Sequence, residues 1–590
     1  MKGRQSRPPF LSTMIDEVCM AVWKLQNRKA DFQAIRDELG LDPVTIRLLC
    51  NRYINTPDAV RNFLYPESKD LHSPFFMKGM DKACSIVQET VTGGGKIRVI
   101  GDYDADGVFS TYILYDMLQG MNANVDYRIP DRVKDGYGIN ERLVREAAED
   151  GVALLLTCDN GISAVEQIAL AYELGMKVIV TDHHEIPEEL PCAEVILNPK
   201  LTDCGYPFRE LCGAGVAMKL AVALGAAPVK YLAFAAVATI CDIVTLREEN
   251  RTIVKLGMQE LHHCNNLGLR ALAEGNQLRM SAINTGDIGY RIGPCINAGG
   301  RLASAELAMQ LLFAPDEQTA KVLAGQLIAL NEERKSKTQE AVEAAIQQIG
   351  SDGLLEDKVL VLLLKDCHES VAGIVAGKIK DLYNRPTIVL TYGQECVKGS
   401  ARSTEYYNMV EGLRACSDIL LYFGGHPMAA GLSIQEENVA LLRQRLNESA
   451  QVTEEDLQGK LAIDLVVPFA YVTEERIDEI GLLAPFGPGN PSPLFAARNV
   501  SVLGAQLLGR EKRFMKFFLQ DEEGCKIEAL CFADVEKMQR ELIAAYGKEE
   551  FDKMMQRKPN RIRLSIAYDM DMNEYMGVRT PQLIIRDYMI

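Results

Sequence analysis

The chain has 590 residues, 47% of them hydrophobic and 25% charged, with a formal net charge of −17. This length is too great for one core and calls for roughly three or four compact units, and the composition excludes a fibrous or disordered polymer. The acidic balance also excludes indiscriminate adsorption to nucleic acid or anionic membrane, leaving such contacts to local basic patches.

Residues 1–75 read as small helices packing against the adjoining domain, ending in Phe63-Leu64-Tyr65-Pro66 and the loop Asp70-Leu71-His72-Ser73-Pro74. The basic start, Met1 to Pro9, lacks the apolar core of a signal peptide. Tyr231 to Ile240, the longest apolar stretch, is too short to span a bilayer. A cytoplasmic protein with no membrane association is expected. The 15 cysteines include no CxxC pair and read as reduced, mostly buried thiols.

From Lys96 to Pro199, short apolar runs alternate with helical patterns. A strand up to Asp102 is followed by a helix near Val108 to Leu118, a strand Val125 to Ile129 and a helix near Ile139 to Glu149. Leu154 to Cys158, Lys177 to Thr181 and Glu194 to Leu197 are further strands, with a helix at Ala164 to Leu174. The alternation predicts a parallel α/β sheet, whose ligands lie beyond the strand carboxyl ends. Leu211 to Phe313 reads as mainly helical, and Pro315 to Ile349 as a long polar helix suited to join two domains.

A smaller α/β unit spans Val359 to Leu446, with strands Val359 to Leu364 and Thr387 to Leu390, a helix near Ile374 to Leu382, and a Gly-rich loop at Phe423-Gly424-Gly425-His426-Pro427. After Val452 the runs Leu461 to Val467, Ser501 to Leu508, Phe514 to Leu519 and Arg561 to Ile566 predict a mostly antiparallel β module. The expected divisions are 1–75, 76–313, the connecting helix 314–355, 356–452 and 453–590.

Acids and a double histidine fall just past several of the apolar runs: Asp102-Tyr103-Asp104-Ala105-Asp106-Gly107, Asp159-Asn160-Gly161, Asp182-His183-His184 and Cys241-Asp242. Any single aspartate there is explained by capping the next helix. Together they supply what a pair of divalent cations needs, several carboxylates and a neutral imidazole, and without cations they would repel one another. Asp104, Asp106, Asp159, His183 and Asp242 are the candidate metal ligands. His262-His263 sits in a helical stretch without strand or acid and is assigned no role.

These strings resemble the motifs of the DHH phosphoesterase superfamily, which is named for the tripeptide Asp182-His183-His184. Within it the chain is most similar to the bacterial single-strand-specific exonucleases over nearly its whole length. That likeness is carried by Ile129-Pro130-Asp131-Arg132, Asp135-Gly136-Tyr137-Gly138, Arg291-Ile292-Gly293-Pro294 through Arg301-Leu302, and Phe423 through Gly431. It extends through Gly373 to Gly377 with Arg385-Pro386, and through Pro485-Phe486-Gly487 to Pro493-Leu494-Phe495.

The resemblance implies a parallel-sheet DHH phosphoesterase domain, a smaller DHH-associated α/β domain joined by the long helix, and a C-terminal OB-fold barrel. It implies two Mn²⁺ or Mg²⁺ ions on the five ligands, with Asp102 and His184 lying behind the ligands or facing substrate and Arg301 joining them in catalysis. Arg132, Arg301 and Arg402 are expected to hold phosphate and strand in a cleft between the two α/β units, and His426 to touch the terminal nucleotide or scissile phosphate. In the last module Arg513, Phe514 and Lys516 belong to a run of interleaved cations and aromatics. It reads equally as a single-strand stacking platform or as a strand with phenylalanines in the core.

The implied activity is hydrolysis of single-stranded DNA from the 5′ end to 5′-mononucleotides, in DNA repair and recombination, with water activated by the cations and no covalent intermediate. A monomer working with a helicase and a single-strand-binding protein is the implied setting. Two other readings compete. One is a DHH phosphodiesterase for short oligonucleotides or cyclic dinucleotides, and the other is a catalytically inactive replication scaffold.

Overall fold

Short apolar runs separated by helices give a five-stranded sheet in the order Val125–Arg128, Lys96–Ile100, Val152–Cys158, Lys177–Thr181, Val195–Leu197, with every pair parallel. The computed structural model describes residues 22–28, 32–132, 134–136, 138–393, 396–509, 514–532, 534–575 and 577–590. They form two compact units, one of Asp58–Lys335 with Ala484–Pro491 and one of the remaining described residues.

In the first unit both faces of the sheet are covered, which is why its strands are apolar without alternation. Val99, Leu154, Leu156 and Ile179 face the helices Met80–Thr92, Ala105–Gly120 and Gly213–Ala223. Ile100, Leu155, Val178 and Val180 face Glu141–Glu149 and Val165–Glu173. The strand order reverses between Lys96–Ile100 and Val152–Cys158. A crevice opens past the carboxyl ends of parallel strands at such a switch point.

Two buried polar groups tie the surroundings of this sheet together. Lys219 Nζ and Glu249 Oε1 are 2.5 Å apart, Tyr206 donates to Glu249 Oε2 at 2.6 Å, and the His72 amide donates to Glu249 Oε1 at 2.8 Å. Arg251 lies 3.4 Å over the Phe63 ring and donates to the carbonyls of Phe63, Ala484 and Pro485. The segment Ala484–Pro491 is further pinned by the Leu246 amide, which donates to the Pro488 carbonyl at 2.7 Å.

The second unit holds a five-stranded mixed sheet in the order Leu420–His426, Ala429–Ile434, Val397–Arg402, Thr387–Tyr392, Leu360–Leu363, backed by the helix Glu369–Tyr383. The segment expected to be a Gly-rich loop, Phe423 to His426, is the end of a strand. Gly425 has φ +142°, and a Cβ there would lie 2.4 Å from the Ala429 carbonyl oxygen, so glycine permits hairpin pairing where loop formation was expected.

The same unit contains a barrel closed by pairing of Phe495–Leu508 with both Phe514–Gln520 and Arg563–Tyr575, with Lys526–Cys531 and Val578–Met589 completing it. All these pairings are antiparallel except Lys526–Cys531 with Val578–Met589. The run expected as one strand from Leu461 is split at Asp464, whose carboxylate accepts from Asn51 and Arg52 and from the Leu494 amide.

Val22–Leu25, read from sequence as helical, is a strand paired in parallel with Lys460–Ile463. The helices Phe32–Leu39 and Pro43–Asn51 come next, and the buried Arg52–Asp464 pair joins this region to the C-terminal module. Partners so remote in sequence leave no local signal. The long connecting helix runs Glu317–Ser351. Among the described residues no helix is long and apolar enough to cross a membrane.

Candidate metal centre

The two strands that flank the switch point deliver the acids. Lys96–Ile100 leads into Asp102-Tyr103-Asp104, and Val152–Cys158 leads into Asp159. The next strand, Lys177–Thr181, leads into Asp182-His183-His184, and the helix Val229–Cys241 ends at Asp242. Asp104 caps the helix Ala105–Gly120 by accepting from the Gly107 amide at 3.1 Å, so the capping role and the site role coexist. Asp159 has φ +60°, a left-handed geometry that Asp and Asn tolerate better than most residues.

His183 Nε2 lies 3.0 Å from Asp159 Oδ1, 3.6 Å from Asp106 Oδ2 and 3.8 Å from Asp242 Oδ2. Three overlapping sets bring ligand atoms within 4.8 Å of one another: Asp159, His183 and His184; Asp106, His183 and Asp242; Asp102, Asp104 and Asp159. Asp159 and His183 each belong to two sets, and the Asp159 carboxylate, with two oxygens, can be shared by neighbouring cations. Every metal ligand expected from the sequence is therefore in one cluster, together with Asp102 and His184.

The cluster is held in place from behind. Both oxygens of Asp106 accept backbone amides at the start of the helix Gly213–Ala223, from Gly213 at 2.6 Å and Ala214 at 2.7 Å. A Cβ on Gly213 would lie 2.7 Å from the Asp159 Cβ, so only glycine lets this helix end approach. Asn297 Oδ1 accepts from the Ala105 amide at 2.7 Å, and a Cβ on Gly300 would lie 2.2 Å from the Tyr103 carbonyl oxygen. Asp182 takes no place in the three ligand sets. Its Oδ1 accepts from the His183 amide, fixing the backbone there, and bonds His184 Nδ1 at 2.7 Å, which orients that ring.

Protein groups alone leave the site costly. Burial first, then the neighbouring carboxylates, raise Asp102, Asp159 and Asp242 well above the usual carboxylate range and push Asp106 up to about 6. Burial and the adjacent His184 charge push His183 down to about 3, so its ring is neutral and able to ligate. Burial alone would lower His184, but its bond to Asp182 and the surrounding acids hold it above its ordinary value.

The donors fit divalent cations. Among the described residues, Asp102 Oδ1, His183 Nε2 and Asp242 Oδ2 are buried without a hydrogen-bond partner, a costly state that a cation relieves. Among the described residues no cysteine joins any of the three ligand sets. Carboxylates with one or two imidazoles and no thiolate suit hard ions such as Mg²⁺ and Mn²⁺.

Cations border the acids. Arg132 lies 4.6 Å over the Tyr103 ring. Burial first, then the charges of Arg132 and Arg334, push Arg301 down to about 10, while Asp104 opposes them. Arg334, missed from the sequence, donates to Asn331 Oδ1 at 3.1 Å. Lys200 was missed as well, although it comes just after the strand Val195–Leu197 at the same sheet edge, a position that could have flagged it.

In the second unit, Ala429 is the register partner of both Arg402 and His426, which places these two side chains in one cross-strand row. A Cβ on Gly373 would lie 2.9 Å from Arg402 Nη2, so that glycine makes room for the guanidinium. On the barrel strand Phe514–Gln520, Met515, Phe517 and Leu519 are buried. The core reading therefore holds for Met515, Phe517 and Leu519, while Phe514 and Lys516 lie on the other face with Phe518. Phe514 packs edge-on to Phe532 at 5.0 Å, Arg557 lies 4.0 Å over Phe518, and Lys516 pairs with Glu528 at 2.6 Å. Arg513 lies outside the described residues.

A parallel sheet with acids and the His-His pair gathered at its switch point defines a DHH-type phosphoesterase domain, and the DHH family N-terminal domain matches residues 96–241. The DHHA1 domain matches 356–451 and the RecJ OB domain matches 463–587. The single-stranded-DNA-specific exonuclease RecJ of Bacillus subtilis is 38% identical over 571 residues, covering 96% of this chain and 70% of that protein. Its Escherichia coli counterpart is 32% identical over 541 residues, covering 86% and 90%. The chain belongs to the RecJ family. Crystal structures of RecJ from Thermus thermophilus in complex with Mn²⁺ and with Mg²⁺ superpose with TM-scores of 0.80 and 0.74 at 28% and 27% identity, each covering 96% of this chain and 79% and 78% of theirs.

Proposed function

We propose that the protein is a metal-dependent exonuclease that hydrolyses single-stranded DNA from the 5′ end and releases 5′-mononucleotides. The observation that carries this reading is the convergence of Asp104, Asp106, Asp159, His183 and Asp242 at the switch point of a RecJ-family sheet. These five side chains would hold two divalent cations, Mn²⁺ or Mg²⁺. Bound there, such cations lower the pKa of water and offset the charge that develops on a phosphodiester.

The chain's own residues then orient and complement the substrate. His183, neutral at working pH, ligates without shedding a proton. His184, its ring held by Asp182 through Nδ1, faces the substrate phosphate. Arg132 and Arg301 hold backbone phosphate near Asp104, and Asp102 steadies the ligand loop. Arg402 and His426 take the terminal nucleotide, and the Phe514, Lys516 and Phe518 face of the barrel, together with Arg513, guides the incoming strand. The 5′ polarity comes from the family resemblance, as do a cytoplasmic location, a role in repair and recombination, a monomeric state, and partnership with a helicase and a single-strand-binding protein.

The test is digestion of single-stranded, duplex and tailed DNA, labelled at either end, with Mn²⁺ or Mg²⁺. Mononucleotides released from the 5′ end of single strands and tails are expected. Cleavage of a dinucleotide with long strands left intact would overturn the reading in favour of a short-oligonucleotide phosphodiesterase.

A further inference from the structure

Lys200 stands where the last strand of the parallel sheet ends, after Val195–Leu197 and Asn198-Pro199. The loop around it is clamped from both sides. Asn198, wholly buried, accepts the Lys200 amide at 2.8 Å and donates through Nδ2 to the His184 carbonyl at 3.0 Å. Arg209 Nη2 donates to the carbonyls of Lys200 at 3.1 Å and Leu201 at 3.2 Å.

The lysine stem is mostly covered, its side chain 17% exposed, and Nζ lies 2.8 Å from Oε1 of Glu185, the residue after the His-His pair. Glu185 is 63% exposed. The ammonium is thus fixed while its carboxylate partner is solvated. Through Asn198 and Glu185 the lysine is joined to the His183-His184 segment of the metal cluster.

A solvated Lys–Glu pair contributes only about 0–1 kcal/mol and needs no such scaffold. A cation beside a cluster of acids does need one if it is to meet an anionic strand at a set position, because a loose lysine would collapse onto the carboxylates. We propose that Lys200 is a phosphate-contacting residue of this site, its ammonium binding a non-bridging oxygen of the DNA backbone at the scissile linkage or the one beside it. Glu185 turns to solvent as the strand enters, and Asn198 is the positioning residue. This deepens the exonuclease reading and rests on it.

The test combines Lys200→Gln and Lys200→Arg with single methylphosphonate linkages walked through the first three positions of a single strand. Lys200→Gln should lower kcat/KM about tenfold and reduce the salt dependence of strand binding by about one phosphate contact. At the linkage that Lys200 contacts, the methylphosphonate should harm Lys200→Gln less than it harms the wild type, while Lys200→Arg keeps most of the activity. Mn²⁺ should still raise the Tm of each variant, showing an intact centre. A Lys200→Gln enzyme with the wild-type salt slope and methylphosphonate profile overturns the proposal. Wild-type protein that neither binds nor cuts single strands would instead remove the exonuclease reading beneath it.

Discussion

Asp159 Oδ1 and His183 Nε2 lie 3.0 Å apart at the ends of adjacent strands, and each belongs to two of the three ligand sets. Asp159→Asn keeps the volume and the left-handed backbone while removing one ligand charge. Turnover at saturating Mn²⁺ should fall by more than about a hundredfold, beyond the usual cost of altering a group behind a ligand. The folded state should persist, because a repelled buried charge has been removed. Near-normal turnover would reject Asp159 as a ligand.

The raised acids give the protein stripped of cations a definite pH dependence. A carboxyl raised in the fold contributes stability below its unfolded value and loses it as pH climbs through the folded value, which is about 6 for Asp106; Asp102, Asp159 and Asp242, raised by burial and by one another, act with the same sign. His184, also raised, has the same sign, while the opposing contribution of His183 is complete once pH exceeds its ordinary 6.5. In EDTA the Tm should therefore fall as pH rises from about 4 through the folded value of Asp106 near 6, and Mn²⁺ should remove the fall by keeping the acids ionised. Calorimetry with and without Mn²⁺ measures this, and a flat EDTA curve would contradict it.

Gly213 touches two ligands at once, one through its amide and one through its missing side chain. Gly213→Ala should cost about 1–3 kcal/mol of stability by overpacking. Its larger effect should be on Mn²⁺ affinity, weakened about tenfold or more as Asp159 is displaced. Titration of Mn²⁺ against Tm separates the two, and unchanged affinity would show that the close approach is only structural.

Phe518 lies under Arg557 on the outer face of the barrel strand. If this face stacks bases, Phe518→Ala should weaken binding of a long single strand by about 1–3 kcal/mol. Cleavage of a dinucleotide, which offers no further bases to stack, should be unchanged. Equal losses on both substrates would indicate a misfolded module.

The sequence by itself determined the parallel sheet, the helical stretch after it, the long connector and which acids and histidines fall at the strand ends. Buried parallel strands read as continuous apolar runs, and ligands at strand ends fall at fixed positions just after them. Strand order was not local information, and only the fold brought Asp102 through Asp106 beside Asp159 at the reversal. The same holds for Val22–Leu25 pairing with Lys460–Ile463, for Gly425 extending a strand where a loop was expected, and for Gly213 and Asn297 fixing the ligand loops. Lys200 and Arg334 escaped notice because a lone basic residue carries no signal until the chain closes around it. Tertiary structure decided these points, since they depend on close approach between residues far apart in sequence, which neither periodicity nor spacing encodes.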